Sequence, residues 1–153
     1  MKNLLKIAFL ATILFCAGNT LDAQTKVGGG LTYSLKEGVG IGINARAAFG
    51  ITETIDIVPS LNFFFPEVGS LMGFNGDVHY NIEAGDALNV YPLAGLNYTR
   101  VSANGFSAGE IGFNLGGGAS FAVSDNLDGF AEVKYVVGDF DQLAITVGIL
   151  FGL

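Results

Sequence analysis

Apolar and polar residues alternate along most of this chain, and the alternation is cleanest near its end. Leu143, Ile145, Val147, Ile149, Phe151 and Leu153 fall on one face, and Ala144, Thr146, Gly148, Leu150 and Gly152 on the other. A period of two over that length predicts a β-strand with one face against an apolar medium. The pattern recurs upstream and predicts about eight strands in all. They cover residues 26–35, 39–51, 55–65, 74–84, 87–100, 110–123, 127–137 and 143–153. Strands of roughly 10 residues have the reach a tilted strand needs to cross a bilayer. Strands of water-soluble domains average nearer about 5 or 6.

The two faces differ in kind. One carries Ile41, Ile43, Phe63, Phe74, Tyr98, Phe113 and Tyr135, and no mid-strand charge. The other carries the charges and amides: Asn44, Arg46, Asp56, Asn62, Asp77, His79, Asn81, Glu83, Asn89, Asn97, Asn114, Glu132 and Lys134. A water-soluble barrel would put its apolar face inside. Here the apolar face has to meet something apolar all the way round, and lipid satisfies that. A Lys or Arg on a lipid-facing position costs about 2–4 kcal/mol at the bilayer midplane, so the segregation is a physical requirement. The expected fold is all-β: a single antiparallel up-and-down transmembrane β-barrel of about eight strands. Its interior is just wide enough for side chains to fill, which brings Arg46 and Lys134 near Asp77, Glu83, Asp56 or Glu132. The short turns 52–54, 85–86 and 124–126, set against longer connections at 66–73 and 101–108, place the longer ones outside the cell and both termini in the periplasm. Pro59 is a flaw in the third strand, because proline cannot donate to the ladder.

The start of the chain has a different character. Lys2 and Lys6 make a positive start, Leu4, Leu5 and the run from Ile7 to Ala17 are apolar, and a more polar stretch closes on Leu21-Asp22-Ala23. Residues 1–23 read as a secretory signal peptide cleaved after Ala23, leaving 24–153 as the barrel domain. Phe15 is too large for a lipoprotein processing site at Cys16, so Cys16 reads as one more apolar residue of that run. The remaining chain then has no cysteine, and the disulfide framework of many exported domains is not open to it.

Charge and glycine content sharpen the picture. Removing Lys2, Lys6 and Asp22 from 7 basic and 14 acidic residues leaves 5 and 13, a net charge near −8. That disfavours nucleic acid as a partner. The 23 glycines against three prolines argue against helices and for close packing within a sheet.

Candidate chemistry is sparse. His79 is the only histidine, and no cysteine or second imidazole accompanies it, so no metal site is expected. A lipid-A-modifying enzyme would need a serine and an acid beside the histidine near the lipid face. His79 points inward by parity and has no evident serine partner, so no catalytic residue is expected. The runs Gly28-Gly29-Gly30 and Gly116-Gly117-Gly118 open no helix, so they lack the geometry of a phosphate loop and predict no cofactor. What remains is an interior polar cluster of Arg46, Asp56, Asp77, His79, Glu83, Glu132 and Lys134. It fits a packed, hydrogen-bonded core, with a narrow proton or ion path as the alternative.

The segment Ile111-Gly112-Phe113-Asn114-Leu115-Gly116-Gly117-Gly118, the sequence Glu132-Val133-Lys134-Tyr135 and the closing stretch 145–153 together resemble the small outer-membrane β-barrel proteins of the OmpA/OmpX type. That resemblance implies residence in the outer membrane, with lipid as the surrounding partner. It also implies recognition by the barrel-assembly machinery through the last strand. The family usually ends on an aromatic residue, whereas this chain has Leu153 with Phe151 two before it. The expected role is structural or one of surface interaction, with a small porin-like channel as the runner-up. No small-molecule ligand is indicated.

Overall fold

The computed structural model describes residues 24–153. The stretch read as a signal peptide, including Cys16, lies outside the described residues. Nine strands follow in order: β1 (Thr25–Ser34), β2 (Gly40–Gly50), β3 (Ile55–Phe64), β4 (Ser70–Tyr80), β5 (Ile82–Glu83), β6 (Leu88–Ala103), β7 (Phe106–Ser124), β8 (Leu127–Val137) and β9 (Gln142–Gly152). The two-residue β5 resumes the line of β4 after Asn81, and both pair with β6, so the barrel wall has eight staves. All pairings are antiparallel, each stave pairs with the next in sequence, and β1 pairs with β9 to close the cylinder. Closure leaves no continuous sheet edge, which lets a sheet sit in lipid with its backbone polar groups satisfied.

The predicted faces are the observed ones. Leu31, Ile43, Leu96, Phe113, Val133 and Val147 stand exposed on the outer wall. Thr32, Asn44, Asn97, Asn114, Glu132 and Thr146 are buried inside. Among the described residues, Arg100 is the one charged strand residue with outward parity. It lies toward the end of the barrel away from the termini, beside Met72 and Gly109.

Two expected loops turn out to be strand. Residues 66–73 shrink to a turn at 65–69, with β4 starting at Ser70. Residues 101–108 form a hairpin tip in which only Asn104 and Gly105 lie outside the ladder. Both have positive φ, 51° and 81°, the pairing an Asn-Gly type I′ turn requires. The polar, glycine-bearing look of the segment disguised the strongest short-range hairpin signal in the chain. Pro59 is accommodated because the β2–β3 ladder is interrupted between Arg46–Ser60 and Phe49–Ile57, so its missing N–H falls in a break.

Candidate functional site

The interior has three zones along the barrel axis. At the end away from the termini, Phe64 from β3 and Leu71 from β4 are buried with Val39 from the first turn, and Val101 and Phe140 pack against them. Phe64 is wholly buried. This apolar plug was not anticipated. Its signal was the parity that points Phe63 and Phe65 outward and therefore turns Phe64 in.

The middle zone is a charge-balanced network. Arg46 on β2 reaches across the bore to Glu132 on β8 and donates twice, Nη1 to Oε2 at 2.8 Å and Nη2 to Oε1 at 3.1 Å. Its Nε donates to Asn44 Oδ1 at 2.8 Å, and its guanidinium lies 4.1 Å from the centre of the Phe130 ring. Lys134 is ion-paired with Asp77 and stands 3.4 Å from Glu132 Oε1. Two cations and two anions thus cancel within one layer, which is the condition for burying charge without large cost. Tyr91 donates its hydroxyl to Glu132 Oε2 at 3.2 Å.

Amides extend the layer. Asn114 Nδ2 donates to Asp77 Oδ1 at 2.6 Å and to Asn75 Oδ1 at 2.9 Å, and Asn97 Nδ2 also donates to Asn75 Oδ1, at 2.8 Å. Thr146 and Thr32 hydroxyls bond at 3.0 Å across the β1–β9 seam. The glycines of the wall make the room: Gly118 lies opposite Tyr91 in the β6–β7 ladder, and the tyrosine ring covers it.

The third zone, at the end bearing the termini, is a chamber of about 990 Å³ open to solvent. His79 lines its floor. The residue is 5% exposed, and its ring stacks on Tyr91 with ring centres 4.4 Å apart. Its Nε2 has no hydrogen-bond partner, and Glu132 Oε2 is 3.8 Å away.

Of the seven residues predicted to share the interior, Arg46, Asp77, His79, Glu132 and Lys134 gather in or beside the network. Asp56 and Glu83 do not join it. Asp56 is half-buried on the chamber wall, accepting from Asn81 Nδ2 at 2.8 Å. Glu83 is exposed at the mouth on β5. Parity put both on the correct face, but depth along the axis separates them from the network. Among the described residues no group of three His, Cys, Asp or Glu side chains converges as a metal site would.

A closed eight-stranded barrel with an apolar outer wall and a neutralised polar bore defines the class of small transmembrane β-barrels. The chain belongs to the outer membrane protein beta-barrel domain family, whose model matches residues 6–151. A search of curated proteins finds no match. Among solved structures the chain is similar to the N-terminal β-barrel domain of Pseudomonas aeruginosa OprF, with a TM-score of 0.73 and 14% identity over 85% of this chain and 97% of that one. It is also similar to Ail, the attachment invasion locus protein of Yersinia pestis, solved with a heparin analogue. There the TM-score is 0.63 and the identity 14%, over 87% of this chain and 100% of that one. A de novo designed transmembrane β-barrel matches with a TM-score of 0.67 and 16% identity, over 88% of this chain and 98% of that one. A likeness shared with a designed barrel speaks for the fold alone.

Proposed function

We propose that this protein is exported by its N-terminal signal peptide and inserts in the outer membrane as a sealed, non-enzymatic barrel with a structural or surface-interaction role. Lipid surrounds its wall, and the barrel-assembly machinery engages β9. The termini then face the periplasm and the β6–β7 hairpin faces outward. The observation that carries the reading is the Arg46–Glu132 pair spanning the bore beneath the Phe64 plug. Two successive obstructions of opposite chemistry support a closed bore.

The runner-up, a small channel, draws on the chamber that opens the bore at the end bearing the termini. Planar-bilayer recording on purified, refolded protein separates the two. The sealed reading expects a flat baseline from protein whose gel mobility shifts on heating. Stepwise conductance in most insertions would overturn it.

A further inference from the structure

The outer wall carries one side chain that a purely apolar surface does not need. Arg100 on β6 is exposed with outward parity, and no carboxylate pairs with it among the described residues. Glu110 on β7 is the ladder partner of buried Thr99 and so belongs to the interior face. A cation facing lipid is costly at mid-bilayer, and the cost falls toward the headgroups. β6 ends at Ala103, so Arg100 stands near the headgroup end of its strand.

The outward-facing positions around it are graded along the strands. Nearest mid-barrel, Phe74 and Tyr98 are ladder partners with ring centres 6.3 Å apart. The next outward row holds Arg100 and its partner Gly109. The Tyr98 ring leans over Gly109, where a Cβ would collide with the phenol hydroxyl. That hydroxyl therefore reaches the row of the arginine. Tyr91 and Tyr135 donate to Glu132 and Asp141, whereas the Tyr98 hydroxyl has no partner among the described residues. Towards the turn, the next outward row sets the Ser102 and Ser107 hydroxyls 2.9 Å apart. Aromatic, then cationic, then hydroxylic is the order of acyl chain, phosphate and sugar in a glycolipid. Tyrosine at the headgroup level is also where its amphipathic ring is favoured.

We propose that this patch holds a phosphorylated glycolipid of the surrounding leaflet. The planar guanidinium of Arg100 donates two parallel hydrogen bonds to the lipid phosphate. The Tyr98 hydroxyl donates to the same phosphate. Ser102 and Ser107 meet hydroxyls of the sugar, and an acyl chain runs down over Phe74. Free phosphate fits less well, because the patch adjoins the apolar wall and offers an acyl chain a surface that a bare anion leaves uncovered. The inference rests on the membrane placement proposed above and names one lipid within it.

The test is titration of the full barrel, in phosphatidylcholine nanodiscs, with lipid A as the probe, followed by native mass spectrometry and by the arginine Nε–H signals. Arg46 and Arg100 are the only arginines, so buried Arg46 is the internal reference. The expected result is saturable retention that moves the Arg100 signal and leaves that of Arg46 in place. Arg100→Gln weakens retention about tenfold or more, as loss of a charged hydrogen-bonding partner implies. Tyr98→Phe weakens it less, and Lys36→Gln, at the same end of the barrel, leaves it unchanged. Arg100 and Tyr98 are both exposed, so these variants are expected to fold. Three results would overturn the proposal. One is no saturation. Another is equal retention of dephosphorylated lipid A, which would mean apolar packing only. The third is an equal Arg100 response to phosphatidylglycerol or inorganic phosphate at matched phosphate, which would mean a general anion site. Protein that shifts on heating and enters nanodiscs yet retains no lipid A overturns this inference alone. Protein that never enters nanodiscs overturns the membrane placement as well.

Discussion

Arg46 and Glu132 meet face to face across the bore, from strands separated by β1 and β9, in a two-pronged pair that is closed to solvent on both sides. Removing one member leaves the other charge buried without its partner, a loss of about 3–5 kcal/mol. Glu132→Gln and Arg46→Ala are each expected to lose stability in that range by urea unfolding in lipid vesicles. Arg46→Met combined with Glu132→Leu is expected to recover most of it. A double variant as unstable as the sum of the singles would show that the two do not act as a pair.

Phe64 seals the opposite end by packing rather than charge. Phe64→Ala is expected to cost about 3–5 kcal/mol for the lost contacts and the cavity left behind. It should leave the bore closed, because the Arg46 layer lies below it. Conductance is expected only when Phe64→Ala is combined with Arg46→Ala. Bilayer recordings on the three variants check the order of the two seals.

Gly118 is required by its neighbour. A Cβ built there would lie 2.6 Å from the Tyr91 hydroxyl and 2.6 Å from the Ala131 carbonyl oxygen, well inside contact distance. Gly118→Ala is therefore expected to push Tyr91 from its bond to Glu132 and to destabilise the barrel by about 1–3 kcal/mol. Loss of the ring-current effect of Tyr91 on the His79 signals would report the displacement directly.

Asp141, in the turn between β8 and β9, accepts from the Tyr135 hydroxyl at 3.0 Å and from Lys36 at 3.4 Å. The tyrosine hydrogen bond first, and then Lys36, hold its carboxyl below the usual aspartate range. A depressed native value means that the contribution is present above the ordinary aspartate range and is lost as pH falls through the native value. The effect on stability is small, because the group is exposed and screened. Carbon-detected titration of the Asp141 carboxyl is expected to show a low midpoint, and Lys36→Met should move it upward.

Much of this was legible in the residues themselves. A barrel wall has one lipid side and one interior side, so alternation assigned Arg46, Asp77, His79, Glu132 and Lys134 to the interior correctly. Strand length followed from how long that alternation persisted. Alternation is weaker at the tips: serine and glycine near the Asn104–Gly105 turn resemble a linker, although the ladder runs through to Ala103 and Phe106.

Parity cannot tell depth. A period of two says which side a residue faces, not which strands curl round to meet it. Glu83 and Glu132 share a face, yet Glu83 ends at the open mouth and Glu132 at the centre of the bore. The pairing of Arg46 with Glu132, of Lys134 with Asp77, and of Phe64 with Leu71 depends on strand stagger and closure. These are set by backbone hydrogen bonds between segments far apart in sequence, such as β1 with β9. The chain's pattern thus determined a barrel and its two surfaces. Only closure in three dimensions decided that the bore is plugged at one end, neutral in the middle, and open and acidic at the other.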